Sequence, residues 1–152
     1  TEAGALRQGT VKNSAAVGIL LESGIGDTMR LSLTADPVEE VHVAWELLAA
    51  LGMRRIKPEL VSCPTCGRCG VDMIPIAEEV TKRLDGVRAP ISVAVMGCVV
   101  NGPGEAKGVD LGVACGKGQA VLFENGNPIR KVPEDKIVDE LFTEIENRFG
   151  KK

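Results

Sequence analysis

The sequence predicts an α/β protein in which helices alternate with the strands of a largely parallel sheet. Two observations carry that prediction. Residues 11–51 read as helix, strand, helix, the rhythm of a parallel sheet with outer helices. Residues 91–96 (ISVAVM) are an apolar run of strand length, as expected of a strand buried on both faces.

Taken in order, residues 11–22 (VKNSAAVGILLE) place Val11, Ala15 and Ile19 on one stripe, with Ala16 and Leu20 beside them. That spacing predicts an amphipathic helix, ended by Gly24-Ile25-Gly26-Asp27. Residues 28–34 (TMRLSLT) alternate apolar and polar and predict a strand with Met29, Leu31 and Leu33 on one face. Asp36-Pro37-Val38-Glu39 has the form of a helix start, with Asp36 as N-cap, Pro37 at N1 and Glu39 at N3. The helix it opens, about 37–51, is apolar nearly all round, and Gly52 stops it. His42 lies within it and is expected to pack there with one hydrogen bond.

The basic stretch ending at Pro58 predicts a domain boundary, giving pieces 1–54 and 55–152. Beyond it, 59–62 reads as a short strand entering the Cys63 loop, and 72–84 as a helix with Met73, Ala77, Val80 and Leu84 inward. Strands follow at 91–96 and 109–113, then at 119–123 and 128–132 around Asn125-Gly126, a strong two-residue hairpin signal. A last helix, about 134–149, turns Val138, Leu141, Phe142, Ile145 and Phe149 inward. The glycines at 108, 112, 116 and 118 lack the G-x-G-x-x-G form and are expected to serve turns, not a nucleotide.

Composition excludes several functions. With 44% apolar and 26% charged residues, the usage is that of a soluble globular chain. Eighteen Lys+Arg against twenty-one Asp+Glu, a net charge of −3, lack the basic excess of a nucleic-acid binder. At 3% aromatics, no stacking platform for single strands exists either. No apolar run approaches the roughly 20 residues needed to span a bilayer. Without a basic-then-apolar signal segment, a cytoplasmic protein is expected. The opening Thr1-Glu2-Ala3-Gly4, with no Met or lead-in, reads as a cut through a larger protein.

The five cysteines are the unusual feature, and an odd number without a secretory signal points to metal or redox chemistry. Cys63-Pro64-Thr65-Cys66 is a C-x-x-C pair that Cys69 extends. Cys98 comes after the 91–96 strand and Cys115 after the next one. Two thiolates three positions apart in a tight turn grip a metal centre, and a second loop closes the cage. Spacing alone leaves zinc and iron–sulfur both open. Gly and Pro beside the cysteines favour a cluster, because such backbones bring N–H groups close to sulfur. The lack of a second C-x-x-C knuckle tells against a zinc ribbon.

C-P-T-C-G-R at 63–68 and M-G-C-V-V-N-G-P-G-E at 96–105 resemble the 4-hydroxy-3-methylbut-2-enyl diphosphate synthase family of the non-mevalonate isoprenoid pathway. T-E-A-G at 1–4 and G-I-G-D-T-M-R-L-S-L at 24–33 match the same family in the same order. The resemblance implies a (β/α)₈ TIM barrel, of which residues 1–54 are the last part. It implies that 55–152 form a small α/β iron–sulfur domain resembling the sulfite reductase repeat.

It further implies a [4Fe–4S] cluster held by Cys63, Cys66, Cys98 and Glu105, with Cys69 and Cys115 left over as small residues without a ligand role. Thr1, Glu2, Arg30 and Ser32 would bind substrate at the barrel mouth, Glu2 and Glu105 being catalytic. The implied reaction is reductive ring opening and dehydration of a cyclic diphosphate, with electrons from reduced ferredoxin or flavodoxin. A homodimer is implied, in which one subunit's cluster domain covers its partner's barrel. A ferredoxin-like carrier and a zinc-bound structural module are the rival readings.

Overall fold

A computed structural model of the chain describes residues 3–99, 104, 106 and 108–150. The expectations for Thr1, Glu2 and Glu105 therefore lie outside the described residues. The chain divides into two units, residues 1–56 and 57–152. Among the described residues no helix is long and apolar enough to cross a membrane.

In the first unit, α1 (Leu6–Glu22) and α2 (Pro37–Ala50) flank an extended segment. Asp36 caps α2 by accepting the Val38 N–H at 2.9 Å, with Pro37 in the first turn. Further along the same turn, Glu40 accepts the Leu33 N–H at 2.9 Å and so ties α2 to the preceding segment. Three expectations change here. The predicted strand at 28–34 is only extended chain, bridged once, Ala5 to Thr34, because among the described residues nothing else pairs with it. Its alternation survives, with Leu31 and Leu33 buried and Arg30 exposed.

The second change concerns α1. Its predicted apolar stripe is the exposed one, with Val11 at 66% and Ile19 at 69%. Gly9, Asn13 and Gly18 are buried instead. A Cβ at Gly9 would come 2.7 Å from both the Gly4 oxygen and Leu33 Cδ2, so close approach selects this face. Asn13 then clamps Ser32, donating to its carbonyl at 3.0 Å and accepting its N–H at 3.3 Å. The third is His42, which is exposed beside Glu39 (3.5 Å) and not packed in a core.

The second unit is a five-stranded sheet in the order β1 (Glu59–Ser62), β2 (Ser92–Met96), β3 (Leu111–Gly116), β4 (Gln119–Glu124), β5 (Asn127–Pro133). β1, β2 and β3 are parallel, and β3–β4–β5 is an antiparallel meander. The β4–β5 turn sets Asn125 at φ 48° and Gly126 at φ 79°, the left-handed pair that a two-residue hairpin demands. Asp110 pins the start of β2 by accepting the Ser92 N–H at 2.7 Å and its hydroxyl at 2.9 Å.

Helices α3 (Met73–Leu84) and α4 (Ile137–Phe149) supply the main core. Val80, Leu84, Leu141, Phe142 and Ile145 pack with Val93, Val95, Leu111, Val113 and Leu122. A second, smaller cluster joins Ala94, Met96, Ala114 and Phe123 to Ala106 and Val109, so β2 is buried throughout. Gly112 lies inside β3 and not in a turn, because the Phe123 ring occupies the space a Cβ would need. Cys115 likewise belongs to β3 and does not follow it.

Candidate metal centre

Because β1 and β2 are parallel, the chain leaves both at the same edge of the sheet. The Cys63–Cys69 loop follows β1 and Gly97-Cys98 follows β2, so two segments distant in sequence emerge side by side. The carboxyl edge of a parallel sheet is where α/β domains place their ligands. Here Cys63, Cys66, Cys69 and Cys98 line one cavity of about 240 Å³ together with Pro64, Arg68 and Gly97.

The loop is held by backbone bonds. The Cys63 N–H donates to Val95 O at 3.3 Å, Cys69 N–H to Cys66 O at 2.9 Å and Gly70 N–H to Gly97 O at 2.9 Å. Two bonds reach sulfur. The Gly97 N–H donates to Cys63 Sγ at 3.1 Å, and the Cys69 thiol donates to Val71 O at 3.1 Å.

The thiols differ in character. Cys66 is exposed, and its pKa is lowered chiefly by the Arg68 backbone N–H, with the Arg68 guanidinium adding to the effect. Cys115, wholly buried in β3, is pushed up to about 12, chiefly by burial. It is a structural thiol.

Among the described residues no three of His, Cys, Asp and Glu converge on one point as ligands of a single ion. Four thiols around a 240 Å³ cavity nevertheless form a soft donor set, and the Gly97 N–H already supplies the kind of bond that outer residues give a ligating sulfur. One ion would need all four sulfurs about 2.3 Å from a single centre. The soft donor set fits a thiolate-held group.

Of the predicted site residues, Cys63, Cys66 and Cys98 are brought together. Arg30 and Ser32 belong to the first unit, on the side of the extended segment opposite Leu31 and Leu33. Sequence reasoning passed over Arg68 and Gly97 as site residues and left Cys69 aside, though the C-x-x-C-x-x-C spacing put Cys69 in the same loop. A larger depression of about 950 Å³ at the start of β2 has no described thiol. On its rim, Arg83 is engaged by Glu79 and Asp139, and Arg148 by Glu144 and Glu124.

Fold and site define a class: a small mixed α/β domain that presents thiols at the carboxyl edge of its parallel strands. Residues 59–147 match the GcpE protein C-terminal domain, and residues 1–45 match the GcpE TIM-barrel domain. The chain belongs to the GcpE family. A Geobacter sulfurreducens relative named 4-hydroxy-3-methylbut-2-en-1-yl diphosphate synthase (flavodoxin) is 55% identical over 152 residues, which are 100% of this chain and 43% of the relative. Aquifex aeolicus has one of the same name at 56% over 147 residues, 97% of this chain and 41% of that protein. Another, from Corynebacterium glutamicum, is 56% identical over 144 residues, 95% and 38% of the two chains. The chain thus spans about two fifths of the length of the curated relatives it matches.

Proposed function

We propose that the full-length protein carrying this chain catalyses reductive ring opening and dehydration of 2-C-methyl-D-erythritol 2,4-cyclodiphosphate to (E)-4-hydroxy-3-methylbut-2-enyl diphosphate. The observation that carries this reading is the gathering of Cys63, Cys66 and Cys98 around one cavity, in a chain whose curated relatives bear that synthase's name. These three cysteines, with Glu105, would hold a [4Fe–4S] cluster in a domain resembling the sulfite reductase repeat. Such a cluster supplies electrons one at a time together with a Lewis-acidic iron.

The chain's own residues have distinct parts. The Gly97 N–H orients the Cys63 sulfur and stabilises its negative charge. Glu105, a harder and weaker ligand for iron than a thiolate, is the one that can let go. Arg30 offers a guanidinium fork to diphosphate oxygens, and the Ser32 hydroxyl donates to another. Thr1 and Glu2 meet the hydroxyl end of the substrate, where the Glu2 carboxyl holds or delivers a proton. Electrons come from reduced flavodoxin, the donor in the relatives' name, or from ferredoxin. The protein works in the cytoplasm as a homodimer, one subunit's cysteine domain over its partner's barrel.

Anaerobic absorption with iron and sulfide analysis of the full-length protein separates a cluster from zinc, and turnover of the cyclic diphosphate separates an enzyme from a carrier. Glu105→Gln is expected to lower turnover at least about tenfold with the protein folded, since even residues outside the ligand sphere cost that much. Glu105→Cys should hold iron more firmly and still react poorly. Near-normal turnover in both variants would make Glu105 a bystander.

A further inference from the structure

We infer that Cys63 and Cys69 form a reversible disulfide when the cavity is without its metal group, a protective latch on one of the proposed ligands. Both residues flank the end of β2: Cys63 through its N–H to Val95 O, and Cys69 through its neighbour Gly70, whose N–H reaches Gly97 O. Their sulfurs both border the vacant Cβ position of Gly97, each within 3.4 Å of it. Only a residue without a side chain leaves that gap, so Gly97 permits the two thiols to approach. Cys69 is directed there by its own bond to Val71 O and is half-buried, as is Cys63. Cys115, by contrast, is fully buried in β3 and out of reach of an oxidant.

The step balances with hydrogen peroxide as oxidant. One thiol takes an oxygen atom, becoming a sulfenic acid as the first water leaves; the other displaces that oxygen as the second water. Two electrons pass from the sulfurs to peroxide, an S–S bond forms and two S–H bonds are lost. The product is restored by thiol exchange, whereas an isolated Cys63 sulfenic acid would go on to the irreversible sulfinic acid. The latch itself needs only the thiol geometry. Its effect on cluster loading rests on the function proposed above.

The test uses metal-free full-length protein treated with hydrogen peroxide, with cluster uptake followed by absorption. Trypsin cuts after Arg68, separating Cys69 from Cys63 and Cys66, so the latch joins two peptides, and fragmentation locates the bond. Cys63–Cys69 is expected to be the main linkage, with cluster uptake lost on oxidation and regained in full with dithiothreitol. After peroxide, Cys69→Ser should regain little of whatever uptake it shows before oxidation, and should carry sulfinic acid at Cys63. Cys115→Ala should behave as the unaltered protein. A Cys63–Cys66 or Cys69–Cys115 bond as the main product, or full recovery by Cys69→Ser, overturns the latch. Failure of the reduced, never-oxidised protein to take up any cluster would instead count against the proposed function, with the disulfide map still deciding the latch.

Discussion

Gly97 concentrates the local physics of the thiol loop. Its N–H donates to Cys63, its carbonyl accepts from Gly70, and its missing Cβ makes room for Cys69. In Gly97→Ala the new methyl would run into Cys69 Sγ and lie 3.1 Å from Met73 Cγ and 3.4 Å from Cys63 Sγ. Met73 is in the core and half-buried Cys63 is held by the loop, so neither yields easily. We expect Gly97→Ala to cost about 1–3 kcal/mol of stability, as overpacking does. It should also weaken anaerobic iron uptake more than an exposed change such as Gly67→Ala, whose Cβ would meet nothing within 4 Å. Equal uptake by the two variants would show that the Gly97 gap has no part in the site. The cysteine spacing was legible in the sequence because C-x-x-C is a local pattern. The role of Gly97 was not, since what a glycine makes room for is known only once Cys69 and Met73 are placed beside it.

Among the elements, those whose signals are local were readable. The apolar residues Val93 to Met96 of β2 and the Asn125-Gly126 turn each carry their own conformational instruction, and both are where the pattern put them. What could not be read is which side of an element finds a partner. α1 has two candidate faces, and the buried one is built of Gly9, Asn13 and Gly18, which no hydrophobic period reveals. The docking of α4 also depends on charge that only the fold assembles. Arg130 of β5 meets Glu140 at 2.6 Å and Glu144 at 3.2 Å, and Arg148 meets Glu144 at 3.0 Å and also Glu124 of β4. Glu144, with only 14% of its side chain exposed, has its pKa lowered first by the bond from Arg148 and then by that from Arg130. A carboxylate held below its unfolded pKa adds stability above that pKa and loses it as pH falls through the folded value. Solvent screening of the half-exposed arginines keeps the contribution small, so Glu144→Gln should cost about 1 kcal/mol at pH 7. In urea denaturation that deficit should shrink below pH ~4.3, the ordinary Glu value, and vanish once the folded-state carboxyl is protonated. A deficit independent of pH would mean that packing, and not charge, is what Glu144 supplies.

For the molecule as a whole, the two units differ in how much of their apolar surface they bury for themselves. The unit of residues 57–152 has helices against its sheet and a continuous core from Met73 to Ile145, with β2 covered on both sides. Among the described residues of 1–56 the buried large apolar side chains are Leu31, Leu33, Val43 and Leu47, while Val11, Ile19, Leu20, Val38 and Val41 stand exposed. Folding must recover about 1–2 kcal/mol of backbone entropy per residue, and each fully buried aliphatic side chain returns only about 1.5–3 kcal/mol. Four such residues cannot hold two helices in place, whereas the larger core can hold its own. Expressed separately, residues 57–152 should therefore unfold in one cooperative step, with a urea m-value of about 1–3 kcal/mol/M. Residues 1–56 should show a sloping, non-cooperative loss of helical signal in the same circular dichroism experiment. A sharp transition in the smaller piece, or none in the larger, would show that stability is not partitioned at the boundary between the units.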